Sequence, residues 1–170
     1  MGDEQWVTGR DRIDEALAPV TRRPSPITRH PESETVLAFD YGERFVGVAV
    51  GDTGVGVAHP LATIAAAAAA RRFAAIAELV REWQPSRLVV GLPLSLDGEE
   101  QEISRRARRF ARQLEGRFGL PVALQDERLS STEAASRLRA IGRGGRRDRD
   151  LTHPVAAQVV LQAYLDERGR

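Results

Sequence analysis

The chain has 170 residues, enough for one domain with a real core plus a tail, and its net charge of +1 argues for no class of partner. It contains no cysteine, which excludes disulfides and thiolate metal sites, and no apolar run of membrane-spanning length. All 25 basic residues are arginine; thirteen fall between Arg105 and Arg149 against five acids (Glu115, Asp126, Glu127, Glu133, Asp148), a locally basic segment in a near-neutral chain.

Residues 1–34 mix charges with four prolines and show only a weak helical period from Trp6 to Leu17, so they read as a poorly ordered extension. Residues 1–30 lack the charged-then-apolar pattern of a signal peptide, and the expected location is the cytoplasm. The domain is expected over 35–170. Three strand-like runs follow, Val36–Gly42, Phe45–Asp52 and Val55–Ile64, with breaks at Glu43-Arg44 and Thr53-Gly54, which predicts an antiparallel meander. His59-Pro60 makes the third run an edge or interrupted strand.

Ala65–Gln84 predicts a helix with Phe73, Ile76, Ala77, Val80 and Trp83 on one face, ended by Pro85. Arg87–Leu92 reads as a buried strand followed by a loop from Pro93 to Gly98. Glu99–Phe118 predicts a second amphipathic helix stopped by Gly119, with arginines on its outer face. A strand over Pro121–Gln125 runs into Asp126-Glu127-Arg128, and Ser130 or Ser131 can cap a third helix to about Ile141. Residues 142–150 form a Gly- and Arg-rich loop, and His153-Pro154 is expected to open a last helix through Asp166. The order predicts an α/β fold: a mixed five-stranded sheet, three antiparallel strands and then parallel ones reached through helical crossovers.

In such a sheet the C-terminal ends of the parallel strands gather at one edge. Asp40 ends the first strand and Asp126-Glu127 the last. A carboxylate in a buried strand is costly, so it calls for a metal or a hydrogen-bonding partner. Carboxylates from separate strands suit Mg²⁺ or Mn²⁺, hard ions with oxygen ligands, and such ions serve phosphodiester hydrolysis. Each residue also has a plainer role. Asp40 can begin a turn, and Asp126-Glu127 can complement a helix dipole. His153 can ligate a metal or move a proton, or be a loop histidine ahead of proline; Asp148 and Asp150 share that ambiguity. Arg143, Arg146, Arg147 and Arg149 in the loop, with Arg105, Arg106, Arg108, Arg109 and Arg112 on the helix, fit a phosphate backbone. A solvated helix face is the alternative for the second group. No aromatic stacking platform is evident in the sequence, so recognition of single bases is not expected.

Four motifs in order, Leu37-Ala38-Phe39-Asp40-Tyr41-Gly42 with Gly47–Val50, then Val90–Gly98, then Asp126–Ser131, then Ala156-Ala157 with Leu161–Leu165, resemble the YqgF family. These are Holliday-junction-resolvase-like proteins regarded as pre-16S rRNA nucleases. The resemblance covers roughly residues 35–168. It implies an RNase H-like fold and Mg²⁺- or Mn²⁺-dependent phosphodiester cleavage in 5′-end processing of pre-16S rRNA. It also implies Asp40 and Glu127 as catalytic acids and metal ligands; Arg128, Arg143, Arg146 and Arg147 are the expected nucleic-acid contacts. The family's third acid stands at the start of the last helix; here His153 stands there, and either His153 or Asp150 from the loop takes that acid's place. Competing expectations are a non-catalytic RNA- or ribosome-binding module with an eroded metal site, and a branched-DNA resolvase. A homodimer is left open. Asp40-Tyr41-Gly42 also looks like the phosphate loop of actin-like ATPases, but those need two such domains.

Overall fold

The computed structural model describes residues 17–19, 33–65, 68–95, 97–127 and 149–169, with 17–19 and 149–151 as backbone alone. The expected third helix and the Gly/Arg loop, with Arg128, Arg143, Arg146 and Arg147, lie outside the described residues.

Val36, Leu37, Ala38 and Phe39 are all fully buried, which is possible only in a strand covered on both faces. That strand, β2 (Thr35–Tyr41), is central. Antiparallel to it runs β3 (Val46–Asp52), and outside that β4 (Val57–Ile64). On the other side β2 pairs in parallel with β5 (Arg87–Leu92), and β5 in parallel with β6 (Val122–Asp126). These are the five expected strands in the expected mixed arrangement. A sixth, β1 (Leu17–Pro19), pairs antiparallel with Ala62–Ile64 of β4, where the sequence shows only the end of a weak helical period. Pro60 is accommodated as the sequence suggested, beside a register shift at Val48/Ala49.

The alternation of side chains sorts the strands into two cores. Leu37, Phe39, Val48, Val50, Leu88 and Val90 face α1 (Ala69–Trp83) and α2 (Glu102–Phe118). Phe110 of α2 is the hub, with its ring 6.0 Å from Phe39, 4.9 Å from Tyr41 and 6.0 Å from Phe73. Burying such a ring contributes about 1.5–3 kcal/mol. Both helices stop where expected. Gln84 takes the left-handed conformation ahead of Pro85, and Gly119 (φ 64°) donates its N–H to Glu115 O. α2 starts at Glu102 rather than Glu99, because Ser95 and Gly98 close a turn over 95–99 and a reciprocal Gln101–Ser104 cap sets the first turn.

The opposite face carries α3 (Arg149–Arg168), packed through Ala157, Val160, Leu161, Tyr164 and Leu165 onto Val36, Ala38, Ala49, Ala58 and Val89. On β3 this face is Gly47, Ala49 and Gly51, so the helix comes close. A Cβ at Gly51 would stand 3.1 Å from both Leu161 Cδ2 and Leu165 Cδ1. Gln158 and Gln162 bond the backbone of β4 and of Gly56 just before it: Gln158 Nε2 donates to Ala58 O (2.9 Å), Gln162 Nε2 donates to Gly56 O (2.9 Å), and Ala58 N–H donates to Gln162 Oε1 (3.0 Å). They satisfy polar groups of β4 that β1 does not reach.

α3 corrects one expectation. It begins at Arg149, so Pro154 lies inside it and His153 sits a turn in from the start. Proline here forfeits one bond, to the carbonyl of Asp150, a cost that the buried face of α3 offsets. Asp150 is thus on the first turn of α3, not in a loop.

Candidate active site

Asp40 is the penultimate residue of β2, on the α3 face with Val36 and Ala38, and pairs across the ladder with Gly47. Glu127 follows β6 on the same face. Between them runs β5, whose Gly91 stands one step beyond the last β2–β5 pair, Phe39–Val90. Strands two apart are separated by roughly 10 Å, so two carboxyls on β2 and β6 meet only if the middle strand leaves room. Gly91 does that. A Cβ there would collide with Glu127 Oε1, and it would lie 3.0 Å from Val160 Cγ2 of α3. The Glu127 carboxyl therefore lies across Gly91, towards Asp40, under the roof of α3.

His153 enters from that roof. Its backbone carbonyl lies directly on Gly47, so a Cβ at Gly47 would collide with it. Its ring stacks on Phe45, centroids 5.1 Å apart and planes at 27°. Phe45 is the residue before β3 rather than its first member. The turn ahead of it is closed by Gly42 N–H donating to Phe45 O (3.0 Å). A sequence scan counts Phe45 into the apolar strand; in the fold it is 40 % exposed beside the acids.

Electrostatics follow from this crowding. Burial pushes the Asp40 carboxyl above its usual range, and the positive form of His153 partly opposes that shift. Glu127 is pushed up to about 7, first by burial and then by the negative charges of Asp40 and Asp126. Asp126 pairs with Leu92 and so alternates onto the other face of the sheet. Its charge reaches Glu127, while its carboxyl stands apart from the Asp40 side.

The structure thus brings together Asp40, Glu127 and His153. Asp150 lies three residues before His153 on α3, a spacing that shares one helix face, and its side chain is outside the described residues. Arg106 pairs with Glu43 and Glu102, and Arg108 with Glu100, the solvated-face alternative for these two arginines. Gly91, Gly47 and Phe45 were not singled out from sequence as parts of the site. The available signal was glycine inside otherwise apolar strands, which marks a close approach.

Among the described residues no group of three or more His, Asp or Glu stands ready to hold a metal ion. The pair is nonetheless the right chemistry for Mg²⁺ or Mn²⁺, which commonly take one or two carboxylates and complete their shell with water and phosphate oxygens. Burial pushes both carboxyls up, and the charge of Asp40 adds to the shift of Glu127, so both are groups whose ionised forms a cation would stabilise. No described helix is long and apolar enough to cross a membrane.

Comparison with known proteins agrees with this architecture. Residues 34–167 match a family model described as "RuvX: Holliday junction resolvase". The chain is 55% identical to a protein of Methylobacillus flagellatus over 131 residues, 77% of this chain and 90% of that one. It is 54% identical to one of Chromobacterium violaceum over 134 residues, 78% and 98% of the two chains. Both relatives carry the name "Putative pre-16S rRNA nuclease". The fold is shared with Thermus thermophilus RuvC in complex with a Holliday junction substrate: TM-score 0.53, 15% identity, 79% of this chain and 96% of that one. With two thirds of its length and more matched in sequence, the chain belongs to the RuvX family, the group that its motifs resemble under the name YqgF.

Proposed function

We propose that this protein is a metal-dependent nuclease that hydrolyses phosphodiester bonds in structured nucleic acid, acting in the cytoplasm on the 5′ end of pre-16S rRNA during ribosome biogenesis. The observation that carries the reading is the meeting of Asp40 and Glu127 over Gly91 on the open end of the sheet. Asp40 and Glu127 would hold Mg²⁺ or Mn²⁺, with Asp150 as a further ligand from α3. Bound there, such an ion would activate water and stabilise the charge that develops on the phosphate. His153, braced against Phe45 and Gly47, would hold or move a proton beside Asp40. Val160 and α3 cover the Glu127 carboxyl and restrict water around it. Arg128, Arg143, Arg146 and Arg147 would grip the substrate backbone. The relatives' names support the RNA substrate.

A second reading is an RNA- or ribosome-binding module with an eroded metal site. It is favoured by the lack of a three-residue ligand group among the described residues. On those residues alone it asks for less, needing neither a third ligand nor an ionised Glu127. Branched DNA as the substrate is supported by the family description and the RuvC fold. One experiment separates these readings: cleavage of a labelled precursor-rRNA 5′ leader and of a four-way DNA junction, with Mn²⁺ or EDTA. Mn²⁺-dependent cutting that Asp40→Asn and Glu127→Gln abolish, with binding retained, supports the nuclease. Tight binding to either substrate without cutting, unchanged by EDTA, establishes the binding module.

A further inference from the structure

We propose that Phe45 is a stacking platform for one unpaired base of the bound strand, so that the protein prefers nucleic acid with an exposed base at the site over continuous duplex. This rests on the nucleic-acid reading above and narrows its substrate class. Large apolar side chains exposed among the described residues are Phe45, Val55, Val57 and Leu124. Val55 and Val57 belong to the hairpin at the far end of β3 and β4, and Leu124 lies on β6 on the face opposite the acids. Phe45 is the aromatic among the four and the one at the acid end, two residues from Gly47, which pairs with Asp40.

Its neighbour Val46 is fully buried, so the fold had an apolar site at hand and still leaves the larger ring in solvent. The ring is also held firmly. The Gly42–Phe45 turn fixes its backbone; a Cβ at Gly42 would stand 2.6 Å from Phe45 O. His153 braces it by stacking, and the backbone of His153 is in turn wedged on Gly47. A rigid ring supported by a second ring and partly open to solvent suits a base, because every base has a π-face. A strand whose phosphate lies at Asp40 would carry its adjoining base past this position, and exposed Arg44, which precedes Phe45 in the chain, is available for the following phosphate. In a continuous duplex that base is stacked within the helix and is not offered to Phe45.

The test is binding in EDTA, read by fluorescence anisotropy, to three labelled probes of equal length: a single-stranded oligoadenylate, an abasic phosphodiester strand and a blunt duplex. Phe45→Ala should weaken binding to the oligoadenylate about tenfold, the scale of one base stacked on an aromatic ring. It should leave the abasic strand and the duplex unchanged, with Phe45→Trp restoring affinity and Phe45→Leu not. Equal affinities of wild type and Phe45→Ala for all three probes, or an equal loss on all three, overturn the stacking role alone. Restoration by Phe45→Leu would show that bulk against His153, not a π-face, matters, and also overturns it. If the wild type binds none of the probes, the nucleic-acid reading fails and the platform fails with it.

Discussion

Glu127 lays its carboxyl where the side chain of residue 91 would otherwise be. The two residues are far apart in sequence, yet the absence of one side chain is what lets the other cross the middle strand towards Asp40. Gly91→Ala should therefore displace Glu127 and also press on Val160 Cγ2 of α3, 3.0 Å from the added carbon. Activity should fall about a hundredfold, the scale expected when a reacting group is misplaced by an ångström. Stability should fall by about 1–3 kcal/mol, because Val160 belongs to the packed face of α3. Parallel cleavage and urea-unfolding measurements would check this; equal activity of the two proteins would detach the cradle from function.

Glu127 also makes stability depend on pH. Its ordinary carboxylate value is 4.5 and in the fold it is about 7. Between those values the folded state holds a proton that the unfolded state has lost, so stability declines as pH rises through this window. Above about 7 the ionised carboxylate is a standing penalty. Glu127→Gln should remove it and stabilise the protein by on the order of 1–3 kcal/mol at pH 8, with little effect at pH 4. Thermal melts across this range read the difference; a constant offset at every pH would contradict it.

A divalent ion should act on the same penalty. Millimolar Mn²⁺ or Mg²⁺ should raise the melting temperature of the wild type at pH 8 more than at pH 5, because binding to the folded state stabilises it by mass action and needs ionised ligands. Asp40→Asn should lose most of the shift. An equal shift in the variant would place the ion elsewhere.

Gly47→Ala tests the other close approach. The added carbon meets the backbone carbonyl of His153, which cannot swing aside as a side chain can. α3 must move off β3, and the expected cost is about 1–3 kcal/mol or more. Urea denaturation measures it. Retained stability would mean that the first turns of α3 shift at little cost.

Much of this protein is legible in its sequence, because it depends on local pattern. Val36–Phe39 as an apolar run ahead of Asp40, the 3.6-residue spacing of Phe73, Ile76 and Val80, and stops at Pro85 and Gly119 follow from backbone and periodicity alone. They yield the strands, two of the helices and, through parallel crossovers, the gathering of Asp40 and Glu127 at one edge. Tertiary structure decided the rest. Pro154 favours a helix start, but burial of Val160, Leu161 and Leu165 outweighs one missing hydrogen bond, and α3 extends back to Arg149. Phe45 looks like core in a list of residues; the tight turn at Gly42 leaves it in solvent against His153. Gly47 and Gly91 look like weak points in strands until α3 and Glu127 are laid over them. Such roles belong to the space between elements, and a side chain that is absent has no periodicity to read.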